Sequence, residues 1–184
     1  MKKLILTSVT GGLLIFIWQF LSFGLLELHR PATDYTPKQT EILNYLNSEL
    51  TEDGGYFLPN VPKGTSGDEM EAATKDAQGK PWAIISYHKT NDTNMTMNMI
   101  RGLLVNIVMV GLFCWLIGRM KLVGMGQYVL AGLITGFIVF LNEPYTLHIW
   151  YKTFDLMASF LDAIVSWTMV GVIAGLFYKR REMA

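Results

Sequence analysis

Four long apolar runs dominate this chain, at about 4–26, 99–118, 122–141 and 154–177. Each approaches or exceeds the ~20 residues a helix needs to cross bilayer hydrocarbon. Backbone polar groups inside lipid must be satisfied within the segment, so runs of this length are read as helices. The fold expected is a mainly α membrane protein, a four-transmembrane-helix bundle with a small α/β exoplasmic domain inserted between helices 1 and 2. Residues 1–28 form the first transmembrane helix, 29–97 the cap, and 98–184 helices 2–4 with short loops and a basic tail.

Charge orients the four spans. Lys2, Lys3, Arg119, Lys121, Lys179, Arg180 and Arg181 flank one set of helix ends, with only Glu182 against them. Segment 27–97 carries eleven acidic and six basic residues, five net negative. By the positive-inside rule, both termini are cytoplasmic and the first loop is exoplasmic, in a plasma or bacterial inner membrane. The N-terminal run is longer than the ~7–15 residues of a signal-peptide core and no A-x-A-like site follows it, so it is expected to stay uncleaved.

Pro31 ends the first helix. Thr36-Pro37-Lys38-Gln39 has the form of a capping box opening a helix to about Leu50, with Ile42, Leu43, Leu46 and Leu50 as its apolar stripe. Asp53-Gly54-Gly55 signals a turn before a short strand at Tyr56–Leu58. Ser66-Gly67-Asp68-Glu69 is a second capping box, opening a polar helix to about Ala77. Trp82–His88 is the best strand, by its β-branched and aromatic content. Asn142-Glu143-Pro144-Tyr145 should end the third span, so that no proline interrupts a span. The connection after it, with His148, Trp150 and Tyr151, suits a membrane interface. Gly11 with Gly12, Gly132 with Gly136, and Gly171 with Gly175 allow close helix approach. One span, a large loop and three closely spaced spans resemble claudins in outline. The paired cysteines of the claudin loop are absent, so the resemblance implies nothing further.

The fourth run carries Asp155, Ser159, Asp162 and Ser166, at spacings of four, three and four, which fall on one helical face. A carboxylate inside a hydrophobic span is costly unless it is paired or faces a wet cavity. At ~1.5 Å per residue, Gln19, Asn106 and Asp162 each lie roughly 10 Å below the exoplasmic ends of their spans. Gln19, Ser22 and His29 share one face of the first helix, with Trp18 beside it. Asp162, Asn106 and Gln19 are therefore the candidate catalytic residues. Asp155, Ser159, Ser166, Arg101 and Glu143 are the candidate lining of an outward-facing pocket. The bland alternative is interhelical bonding of Asp162 to Asn106 or Gln19.

The polar residues stop halfway through the spans, which argues against a transporter. There is no P-loop, dinucleotide fingerprint, G-x-S-x-G or H-E-x-x-H. Cys114 is the single cysteine and reads as a buried thiol. His29, His88 and His148 all fall on the exoplasmic side, where imidazole suits zinc or copper, and Met95, Met97 and Met99 add thioethers that prefer Cu(I). His29, beside Arg30, reads as an interfacial cap. The function expected is a non-enzymatic accessory or scaffold subunit that engages a partner or lipid through its cap and polar pocket. The alternative is an outward-facing membrane enzyme or zinc/copper protein using Asp162 and the histidines. Partners are the lipid bilayer and a membrane protein or second copy of the chain, with no nucleic acid and no identified cofactor.

Overall fold

The computed structural model describes residues 1–178, so the basic tail at Lys179, Arg180 and Arg181 and its companion Glu182 lie outside the described residues. The structure is mainly helical, with four helices long and apolar enough to span a membrane and a two-stranded sheet. It divides into a helical unit, residues 1–34 and 94 onward, and a second unit, Tyr35–Thr93.

In the helical unit, α1 (Lys2–Phe20) runs on through a π-helical turn at Leu21–Leu25, a single wide turn of the kind often found at functional sites. α4 (Met95–Ile117) starts on the Asn94 side chain, which accepts from the Met97 amide at 3.0 Å. α5 (Met125–Phe140) was expected to finish near Pro144. Instead, a second π-turn at Leu141–Tyr145 absorbs Pro144 and leads straight into α6 (Thr146–Trp150). The helical run therefore extends over Met125–Trp150 with the proline inside it. Proline lacks the amide that a helix interior needs, and the wider turn accommodates that gap. α7 (Leu156–Tyr178) is the most enclosed of the four long helices.

Glycines set the helix pairing. A Cβ on Gly12 would meet the Ile107 backbone at 2.7 Å, which draws α1 against α4. A Cβ on Gly132 would collide with the Trp167 carbonyl oxygen, and one on Gly171 would stand 2.6 Å from the Tyr128 carbonyl oxygen, so α5 and α7 touch backbone to backbone. α1 also packs on α7, and the Phe113 ring of α4 meets Trp167 of α7 edge-on at 5.5 Å. The core of the bundle includes Ile15, Val110, Cys114, Trp167, Val170 and Ala174. Successive contacts pair Ser8 with Gly111, Gly12 with Ile107 and Gln19 with Asn106, so α1 and α4 are antiparallel. Lys2 and Lys3 consequently lie at the same end of this pair as Arg119.

The second unit contains α2 (Gln39–Glu49), β1 (Gly54–Leu58), α3 (Gly67–Ala77) and β2 (Ala83–Tyr87). β1 and β2 pair antiparallel, with Phe57 opposite Ile84 and Gly54 opposite Tyr87. Tyr87 is buried and donates its hydroxyl to Asn47 of α2 at 2.8 Å. The opposite face of the ribbon carries Phe57, Trp82 and Ile84, all exposed. The Ser66–Glu69 capping box forms in both directions. The box expected at Thr36 does not: Thr36 accepts from the Lys38 amide at 3.3 Å, and α2 begins only at Gln39.

Candidate functional site

One turn of α1 organises the polar residues of the bundle. Trp18 and Ser22 face α7, where the Trp18 indole Nε1 donates to Asp162 Oδ1 at 3.0 Å and the Ser22 hydroxyl donates to the same oxygen at 2.7 Å. Gln19 faces α4, where its Oε1 accepts from Asn106 Nδ2 at 2.8 Å. Ser22 and Asn106 are almost fully buried.

The residue that completes the site arrives from outside the helix. After the π-turn, Glu27 adopts a left-handed conformation, φ 49°, and the chain reverses. That reversal returns His29 to the bundle, where it is 7% exposed with its ring stacked on Phe23 at 3.9 Å and nearly parallel. Its Nδ1 lies 2.7 Å from Asp155 Oδ2 and its Nε2 lies 3.0 Å from Asp162 Oδ2. Asp155 immediately precedes α7, where the positive end of the helix dipole favours a carboxylate. His29 is thus a buried bridge between two carboxylates about two helical turns apart on one face, and not the interfacial cap its neighbour Arg30 suggested.

A neutral imidazole has one N–H and one lone pair. With a carboxylate at each nitrogen, either the ring is an imidazolium between two carboxylates or it is neutral and one carboxyl is protonated. Both arrangements carry a net charge of −1. Burial works against the charged ring, but the hydrogen bonds and negative charge of Asp155 and Asp162 outweigh it and raise the His29 pKa above its usual range. Asp162 also accepts from Trp18 and Ser22.

Of the eight residues predicted for the site, Asp155 and Asp162 meet in the cluster, while Gln19 and Asn106 bond each other apart from it. Asp162 bonds neither Asn106 nor Gln19, because those two amides satisfy one another on the other side of α1. Ser166 is buried and Ser159 half-buried on the same α7 face, and neither bonds to the cluster. Arg101 and Glu143, expected to line the pocket, are exposed and stand outside its hydrogen bonds. Ser22, read on the polar face of helix 1, and Trp18, read beside it, are the donors to Asp162.

The histidines do not assemble as metal ligands. Both His29 nitrogens face carboxylates. His148 Nδ1 accepts from the Thr153 amide at 3.1 Å, and His88 contacts Ser86 in the other unit at 3.3 Å. Among the described residues, no group of three or more His, Cys, Asp or Glu side chains is arranged to hold a metal ion. Met95, Met97 and Met99 are exposed along the first turns of α4.

A recess of about 300 Å³ opens beside the cluster, lined by Phe23, Gly24, Glu27, His29, Arg30 and Thr33. Arg30 donates to Glu27 across its rim at 2.8 Å. The cluster can hold a proton and tie α1 to α7. Both His29 ring nitrogens face carboxylates, and the Ser22 hydroxyl donates to Asp162. No protein-family model, curated protein or solved structure matches this chain.

Proposed function

We propose that this chain is an integral inner-membrane protein that serves as a non-enzymatic accessory or scaffold subunit. Its four long helices cross the bilayer with both termini cytoplasmic and residues 29–97 exoplasmic. The basic flanks at Lys2, Lys3, Arg119 and Lys121 support that orientation. The observation that carries the functional reading is the saturation of the His29 cluster. Each of its polar side chains is engaged by another member, which supports a structural clasp between α1 and α7 at this end of the bundle. A rigid bundle then presents the outer unit, whose exposed Phe57, Trp82 and Ile84 form an aromatic face of the composition enriched at interfaces. The partner this face suits is another membrane protein.

The test is native mass spectrometry on protein extracted gently from its own membrane. A retained protein partner is expected, and Phe57→Ser with Trp82→Ser should release it while leaving the chain in the membrane fraction. A chain that runs alone, or a complex indifferent to both substitutions, overturns the proposal. The recess at His29 favours a second reading, an outward-facing enzyme that draws its proton from His29 and Asp162. Under that reading His29→Gln and Asp162→Asn should each abolish turnover of a small molecule while the bundle stays folded.

A further inference from the structure

A groove runs between α1 and α4 at the end of the bundle remote from His29. It is a shallow, open groove of about 520 Å³, and its walls are almost wholly apolar. Leu4, Val108, Leu112 and Trp115 line it, and Ser8 and Gly111 form its floor, since a Cβ on Gly111 would meet Ser8 Oγ at 3.3 Å. Ser8 offers no polar invitation there, because its hydroxyl is already donated to the Leu4 carbonyl at 2.7 Å. The groove therefore suits a hydrocarbon chain.

What stands at its mouth is cationic. The Arg119 guanidinium lies 4.2 Å above the Trp115 ring, and Trp115 is itself a wall of the groove. Arg119 has no acidic partner among the described residues. Lys2 and Lys3 begin α1 at the same end, and Lys121 follows Arg119 in the turn to α5. No Asp or Glu occurs in residues 1–26 or 93–142. An apolar slot with Arg119 at its end, without an acidic partner among the described residues, matches a molecule with a long acyl chain and an anionic head.

We propose that this groove binds an anionic phospholipid of the inner leaflet, with one acyl chain along Ser8 and Gly111 and the phosphate at Arg119. The cation–π contact with Trp115 holds the guanidinium over the slot, where an arginine can take two phosphate oxygens at once. This rests on the membrane reading above but not on the accessory role, and it involves none of the residues of the His29 cluster.

The experiment uses the full-length protein in detergent, titrated in native mass spectrometry with palmitoyl-oleoyl phosphatidylglycerol and with the phosphatidylcholine of the same chains. The wild type should retain phosphatidylglycerol preferentially. At roughly 1 kcal/mol per basic side chain near an anionic surface, Arg119→Gln should lower that preference about five-fold. Lys152→Gln, a cation elsewhere in the chain, should leave it unchanged. Gly111→Leu, which fills the slot, should reduce retention of both lipids. Equal retention of the two lipids by the wild type, or an Arg119→Gln variant that behaves as the wild type, overturns the site. So does a dimer joined through Leu112 that excludes lipid. Failure of the membrane reading is distinguishable: the protein would then leave the membrane pellet in a carbonate wash, before any lipid is added.

Discussion

Replacing His29 by alanine isolates what the cluster contributes. The change removes contacts of 2.7 and 3.0 Å to Asp155 and Asp162 and the stack on Phe23, and leaves two carboxylates with no cation between them. Breaking one member out of a buried ion pair costs ~3–5 kcal/mol. Here the aspartate side chains are 20% and 17% exposed, so water relieves part of the burden. The expected loss is ~2–4 kcal/mol. Asp162→Asn keeps the shape and one acceptor oxygen, and should lose ~1.5–3 kcal/mol, the worth of hydrogen bonds to a charged group. The double variant should lose less than the sum of the two, by ~1 kcal/mol or more, because the residues share one network. Unfolding can be followed in mixed micelles by titrating sodium dodecyl sulfate and measuring reaction of the Cys114 thiol, which is the chain's single cysteine and fully buried in the core. A loss below ~1 kcal/mol for His29→Ala, or losses that simply add, would mean that the cluster does not hold the bundle together.

Two further outcomes follow from other contacts. The pKa of His29 is raised above its ordinary 6.5, so the folded protein binds that proton more tightly than the unfolded chain. The resulting stabilisation is complete below pH 6.5 and is lost as pH rises through the folded value, so the detergent midpoint should fall with alkalinisation across that window in the wild type. His29→Ala should lack this slope, and superimposable curves would rule the linkage out. At the α5–α7 contact, Gly171→Val places a side chain 2.6 Å from the Tyr128 carbonyl oxygen and 3.0 Å from Val129 Cα, atoms of backbone that cannot swing aside. A loss of ~3 kcal/mol is expected from such overpacking, against little change for Gly126→Val, which meets nothing within 4 Å. Equal midpoints for the two glycine variants would refute backbone contact there.

The helices and the polar face of the last one were legible because both follow from periodicity. Asp155, Ser159, Asp162 and Ser166 share a face by spacing alone, and the meeting of Gln19 with Asn106 agrees with the common level expected from helix rise. The partners were not legible. Gln19 and Trp18 are adjacent in sequence but serve different neighbours, and which neighbour lies on which side is a tertiary fact. The π-turns at Leu21–Leu25 and Leu141–Tyr145 have no sequence signature of their own, and each shifts every later side chain around the axis. His29 was placed at the surface because Arg30 and Pro31 follow it. Only the left-handed backbone at Glu27, a conformation uncommon outside glycine and asparagine, carries the ring back inside. In the outer unit, Ser66 succeeded as a cap and Thr36 failed because Thr36 turned its hydroxyl to the Lys38 amide before the helix had begun.

The cluster joins residues separated by 126 to 144 positions along the chain. A ribosome finishes Trp18, Ser22 and His29 long before it reaches Asp155 and Asp162, so the first helix is released with its donors unmatched. α1 can meet α4 early, through Gly12 and the Gln19–Asn106 bond. The clasp to α7 can close only when the last helix is made. The order of synthesis is thus also the order in which these contacts can form, with His29 waiting for both of its carboxylates until α7 exists.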